Sequence, residues 1–215
     1  MLKIFGRANS INVQKVMWTV GELGLAHERI NAGGAYGGLN TDEFRRMNPN
    51  SRVPVIEDDG VVVWESHAIM RYLAARYGSG TLWPEDPGER SLSDRWLDWT
   101  LADLQPAFIG GVFWSFYRTP EPQRNWTAIR QGMARTASLL AIVERQMAGK
   151  TFLAGDALSL GDIGVGAQLN RYFALDIDRP KLPNIETWYR SLTERDAYRT
   201  HVMIPFDDLK GKLSF

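Results

Sequence analysis

Residues 48–73 read NPNSRVPVIEDDGVVVWESHAIMRYL, and the fold turns on how this stretch is parsed. Val55–Ile56 and Val61–Trp64 are short β-runs joined by Glu57-Asp58-Asp59-Gly60, the composition of a tight antiparallel hairpin. Glu65-Ser66 then opens a helix to about Tyr77, with Ser66 as its cap and Ile69, Met70, Leu73 and Tyr77 on its buried face. His67 falls on the face expected to meet solvent. Pro54 cannot donate to a sheet ladder. A cis Val53–Pro54 bond would turn the N–H and C=O of Val53 sideways, where an extended peptide could pair with them; a trans proline at the start of an edge strand is the ordinary alternative. The helix start offers unpaired N–H groups and partial positive charge to a carboxylate, and Glu65 offers a carboxylate to an ammonium.

Working outward, Leu2–Phe5 is a short apolar run ending at Gly6. A loop leads into a helix with Val13, Val16, Met17 and Val20 at helical spacing, stopped near Gly24. His27–Ile30 reads as a second strand. Asn31–Leu39 carries glycines at 33, 34, 37 and 38 around Tyr36, either a flexible surface turn or a mobile lip over a site. Asn40 and Glu43 have capping-box spacing for a short helix to about Met47. The first segment is therefore β-α-β-α-β-β-α, a thioredoxin-like layout.

Residues 79–87 have the Gly, Pro and Ser content of a linker, and beyond them the pattern is helical to the end. Asp86, Pro87 and Glu89 give an N-cap, a proline at the first turn and a capping partner. This helix should run through Trp96, Trp99 and Leu104, bend at Pro106 and continue to Tyr117. A second long helix is expected over 122–147, a third from the capping box at Ser159–Asp162 and a fourth from near Asn184. The expected organisation is a thioredoxin-like α/β domain over 1–78, a linker over 79–87 and an all-α domain over 88–215.

Composition narrows the chemistry. The chain has 215 residues and balances 25 Lys and Arg against 25 Asp and Glu, which gives no electrostatic reason to expect nucleic acid or an anionic membrane. No run approaches the roughly 18–20 apolar residues of a membrane span. Met1 leads straight into a strand, with no basic and apolar leader, so a cytoplasmic protein is expected. There is no cysteine, and the three histidines lie far apart, so neither a protein thiol nor a metal cluster is expected. Thiol chemistry would need a thiol brought by a substrate.

NPNSRVPV, the hairpin, ESHAIMRYL and Ser159-Leu160-Gly161-Asp162-Ile163 together resemble the cytosolic glutathione transferases, over essentially the whole chain and in the serine-type, theta-like bacterial form. The resemblance implies that Val53, beside Pro54, binds the cysteinyl part of glutathione through its backbone. It implies Glu65 and Ser66 at the γ-glutamyl end and Arg52 near the glycyl carboxylate. Ser10, in NSINVQKV, resembles the catalytic serine, and Asn12 a second donor to the sulfur; capping of the first helix is the competing role for both. Glutathione would be a co-substrate, with no metal. A thiol of pKa about 8.5 must drop by about two units, roughly 2.7 kcal/mol, to be mostly thiolate at neutral pH. One hydrogen bond to a charged group contributes about 1.5–3 kcal/mol, and a helix N-terminus adds roughly 0.3–1.

A pocket for a small hydrophobic electrophile is expected between the domains. Phe113, Trp114, Phe116 and Tyr117, with Trp126 on the next helix, are its candidates, although helical geometry cannot aim them all one way. The implied assembly is a homodimer, in which Asp98 or Asp103 reaches the partner's glutathione. The implied reaction is conjugation of the glutathione thiolate to hydrophobic electrophiles. The alternatives are a glutathione-dependent disulfide reductase or peroxidase without a protein cysteine, and a non-catalytic ligand-binding member of the fold.

Overall fold

A computed structural model describes residues 1–213. The chain divides into two compact units: 1–83 with 196–204, and 84–195 with 205–213. The expected division put all residues after the linker in one helical domain, whereas the structure groups 196–204 with the first unit.

The first unit is built on a mixed sheet of four strands in the order β2-β1-β3-β4, comprising β1 (Leu2–Phe5), β2 (His27–Ile30), β3 (Val55–Asp58) and β4 (Val61–Trp64). β2 runs parallel to β1 through the crossover helix α1 (Ile11–Glu22); β3 and β4 are antiparallel to their neighbours. Strand alternation sends Leu2, Ile4 and Ile56 to one face, where α1 and α3 (Ser66–Tyr77) cover them with Val13, Val16, Met17, Val20, Ile69 and Leu73. Val55 points to the other face and packs with Phe44 of α2 (Asp42–Met47). Asp59 and Gly60 both have positive φ, the requirement of a tight hairpin whose twist matches its strands.

Two helix starts differ from expectation. Thr41, not Asn40, caps α2, its hydroxyl accepting from the Phe44 N–H at 3.2 Å. Glu65, not Ser66, is the N-cap of α3, and Ser66 is already helical. Tyr77 is 40% exposed rather than core, because its hydroxyl reaches out to donate to Asp58 at 2.8 Å. α1 is buried on more than its apolar stripe, since α8 (Asp196–His201) packs along it. Tyr198 meets Trp18 edge-on at 4.7 Å, and a Cβ on Gly21 would lie 2.8 Å from that of Ala197.

The second unit is helical. α4 (Pro87–Trp99) starts as expected, Asp86 accepting from the Glu89 N–H. It runs on helically through Pro106 to Arg118 in a widened form, in which Gln105 N–H reaches Thr100 and Thr119 N–H reaches Trp114, five residues back. Proline has no N–H and crowds the preceding turn, and the wider winding accommodates it without ending the helix. α5 (Trp126–Gln146) starts later than expected, capped by Asn125 after a separate turn at Glu121–Gln123. α6 (Leu160–Ala174) and α7 (Pro183–Thr193) complete the unit. Among the described residues no helix is long and apolar enough to cross a membrane.

Candidate functional site

The end of β1, the start of α1 and the turn before β3 converge at Gly6. A Cβ there would lie 2.4 Å from Val13 Cγ2 and 3.4 Å from the Val53 Cβ, so only glycine admits this approach. The Gly6 N–H donates to Ile30 at 2.8 Å, which anchors the turn to the sheet. Beyond it stands Ser10, 8% exposed, at the N-cap position of α1. Its side chain makes no capping hydrogen bond, so the hydroxyl is not spent on the helix. Asn12 is half-buried, with its Oδ1 enclosed and unpartnered.

Across from this helix start, the Val53–Pro54 bond is cis. The ladder begins only at Val55, paired with Phe5 and Trp64, which leaves the half-buried Val53 just outside the sheet hydrogen bonding. Arg52 is exposed, and its carbonyl accepts from Asn48 Nδ2 at 2.8 Å. Glu65 is exposed and holds φ 71°. Ser66 is 4% exposed at the first residue of α3, where backbone N–H groups have no partner within the helix.

His67 corrects the sequence reading. It is 3% exposed, not solvated, and its Nε2 lies 2.9 Å from Nζ of Lys15, itself fully buried. Burial pushes the Lys15 ammonium down to about 7, against the opposing attraction of Glu65. Sequence reading passed over Lys15 because the stripe at 13, 16, 17 and 20 implies one buried face. Trp18, the bulkiest residue between those positions, was the available signal of a second.

The aromatic candidates separate. Phe113 is 1% exposed, a core residue stacked on Tyr117 with the Arg171 guanidinium 4.5 Å above its ring. Trp114 faces outward under the Arg118 guanidinium. Tyr117 and Phe116 wall a cavity of about 530 Å³ within the second unit, with Phe206, Arg124, Asp176 and Asp207. Burial and the neighbouring Asp207 raise the Tyr117 hydroxyl above its usual pKa. Phe206 was missed by the sequence reading, since it lies in a short irregular segment without periodicity. Asp103 is engaged by Arg135 at 2.7 Å; Asp98 is exposed.

This arrangement can be set against known proteins. Residues 1–75 match the glutathione S-transferase N-terminal domain and residues 106–196 the glutathione S-transferase C-terminal domain. The glutathione S-transferase GstB of Escherichia coli is 38% identical over 207 residues, 95% of this chain and 99% of its own. The chain belongs to the glutathione S-transferase family. The transferase is also similar to a crystal structure of the theta class enzyme of Xanthomonas axonopodis pv. citri with glutathione bound. That likeness has a TM-score of 0.91 and 41% identity, and covers 95% of this chain and 98% of the other. The glutathione transferase F2 of Populus trichocarpa shares the fold, with a TM-score of 0.84 at 21% identity, over 94% of this chain and 97% of its own. In this transferase the first matched domain carries Ser10, Asn12, Arg52, Val53, Pro54, Glu65 and Ser66, all within the first unit.

Proposed function

We propose that this enzyme binds glutathione along the edge formed by Val53, Glu65 and Ser66 and conjugates its thiolate to hydrophobic electrophiles. The observation that carries this reading is Ser10, a nearly buried hydroxyl at a helix start that makes no capping bond. It can donate to a sulfur anion while the N-terminus of α1 adds its partial positive charge. The backbone of Val53 pairs with the cysteinyl residue as one more short strand. Glu65 takes the γ-glutamyl ammonium, and Ser66 with the α3 amides takes the carboxylate beside it. Arg52 is the basic side chain for the glycyl end, and Asn12 a second donor to the sulfur.

With the thiol proton released to water, the sulfur lone pair forms a bond to the electrophilic carbon. The leaving group departs with the electrons of the bond that breaks. Ser10 keeps its own proton throughout, stabilising the thiolate rather than taking part in bond formation. The cavity at Phe116, Tyr117 and Phe206 within the second unit also carries Glu121, Arg124, Asp176, Asp207 and Lys210, so it suits an aromatic molecule that bears charge. Phe113 lies behind its wall, stacked on Tyr117.

Ser10→Ala should lower kcat by tenfold or more with an aryl halide while glutathione affinity stays within about twofold, since one charge-assisted hydrogen bond is worth about 1.5–3 kcal/mol. Unchanged turnover would remove Ser10 from the mechanism. Activity confined to disulfides or hydroperoxides would favour the reductase reading instead. We also infer a homodimer: Val61, Val62 and Trp64 leave an apolar, exposed strand edge on β4. Light scattering should return twice 24.3 kDa, and monomeric scattering would reject it.

A further inference from the structure

Lys15 is 0% exposed, and its Nζ lies 2.9 Å from Nε2 of His67. A buried ammonium is costly even when hydrogen-bonded, and the positive end of a helix makes a poor neighbour for it. Here it reaches from α1, one turn after Asn12, to the second residue of α3. Glu65 and Ser66 are the two residues immediately before His67. An arrangement with two physical reasons against it, placed beside a binding edge, has the character of a functional one.

We propose that Lys15 is a positioning residue of the glutathione site, which holds the N-terminus of α3 through His67 and supplies there a cation for the ligand's α-carboxylate. The proposal rests on the glutathione reading given above. Of the charged groups on the elements packed around α1, Glu65 attracts the ammonium and His67 bonds it. Arg71 lies one turn beyond His67 on α3, and Arg76 pairs with Asp58 and Asp59 at the far end of that helix. On α8, His201 lies against Gly21, six residues past Lys15 and about 9 Å along the axis at 1.5 Å per residue. Asp196 and Arg199 of that helix pair with each other. The sheet meets α1 through Leu2, Ile4 and Ile56, while Lys3 pairs with Glu57. The Lys15 ammonium is held at about 7, so its charge is present below neutrality and lost above it. Ligand affinity should therefore fall as pH rises through that value.

The test is calorimetric binding of S-methylglutathione, which has no thiol to titrate, to the full chain between pH 6 and pH 8.5. Wild type should bind at least threefold more tightly at pH 6 than at pH 8.5. Lys15→Met, of similar length but neutral, should bind at least fivefold more weakly at pH 6 and lose the slope. In turnover it should raise KM for glutathione with kcat preserved. His67→Leu, which breaks the link and leaves the lysine, is the second variant should Lys15→Met fail to fold, and should likewise weaken binding at pH 6 by fivefold. Wild-type affinity and slope in the folded variants overturn the proposal alone. A wild type that binds no S-methylglutathione at any pH overturns the glutathione reading and this proposal with it.

Discussion

Glu65 holds φ 71° and ψ 119°, a conformation that costs a non-glycine residue about 1–3 kcal/mol. The side chain makes no cap bond to offset this cost. Glu65→Gly should therefore keep or raise the melting temperature, although glycine is ordinarily destabilising, while retention on a glutathione resin is lost. A fall of several degrees would show that the backbone is unstrained there. Lys15 gives a second outcome at this scale. Its folded value of about 7 lies below the ordinary 10.5, so between those values the unfolded chain binds the extra proton and stability rises with pH. The cost of burying the charge is present in full below 7. In denaturant titrations wild type should gain about 2–3 kcal/mol on Lys15→Met between pH 7 and pH 9, from about 1.4 kcal/mol per pH unit. Ser10, Val53, Glu65 and Ser66 were legible as candidates because each stands at a turn or helix start visible in the residue pattern. Lys15 was not, because its partner His67 lies 52 positions away in the chain, and no local pattern marks the pair.

Elements were legible where local chemistry defines them. Ser159 and Asp162 form the capping box their spacing implies, and the Asp162 carboxylate also accepts from the Leu153 N–H at 2.8 Å. Asp162→Ala leaves those donors buried without an acceptor, which should cost about 3 kcal/mol or more, read as a fall in the midpoint of urea unfolding. The widened helix through Pro106 was not legible, since apolar spacing does not separate a four-residue from a five-residue hydrogen-bond step. Its partner α5 crosses it where Gly132 meets Gly111; a Cβ on Gly132 would lie 2.5 Å from the Gly111 oxygen. Gly132→Ala should destabilise despite alanine's better helix propensity, because the obstacle is backbone and cannot rotate away. A variant as stable as wild type would mean that the two helices can part at no cost.

At the scale of the molecule, chain order suggested a clean break after the first 78 residues, and that was the limit of what order could say. Residues 196–204 belong with the first unit, where Tyr198 is fully buried on Trp18. No local pattern marks a helix of six residues as the cover for an element so distant in the chain. Tyr198→Ala should cost about 3–5 kcal/mol, the range for truncating a large buried side chain, with a change in Trp18 fluorescence that a remote lesion would not give.

The position of that short helix in the chain also bears on how the protein is made. Synthesis proceeds from the N-terminus, and domains ordinarily fold as they emerge. Here residues 1–83 leave the ribosome with one flank of α1 uncovered, and its cover follows only after the whole helical unit between them has been translated. The nascent first unit therefore waits, with Trp18 exposed, for a segment made only after the helices that follow it. A premature stop before Asp196 would leave the first unit without part of its own core, although every residue up to 83 had been made correctly.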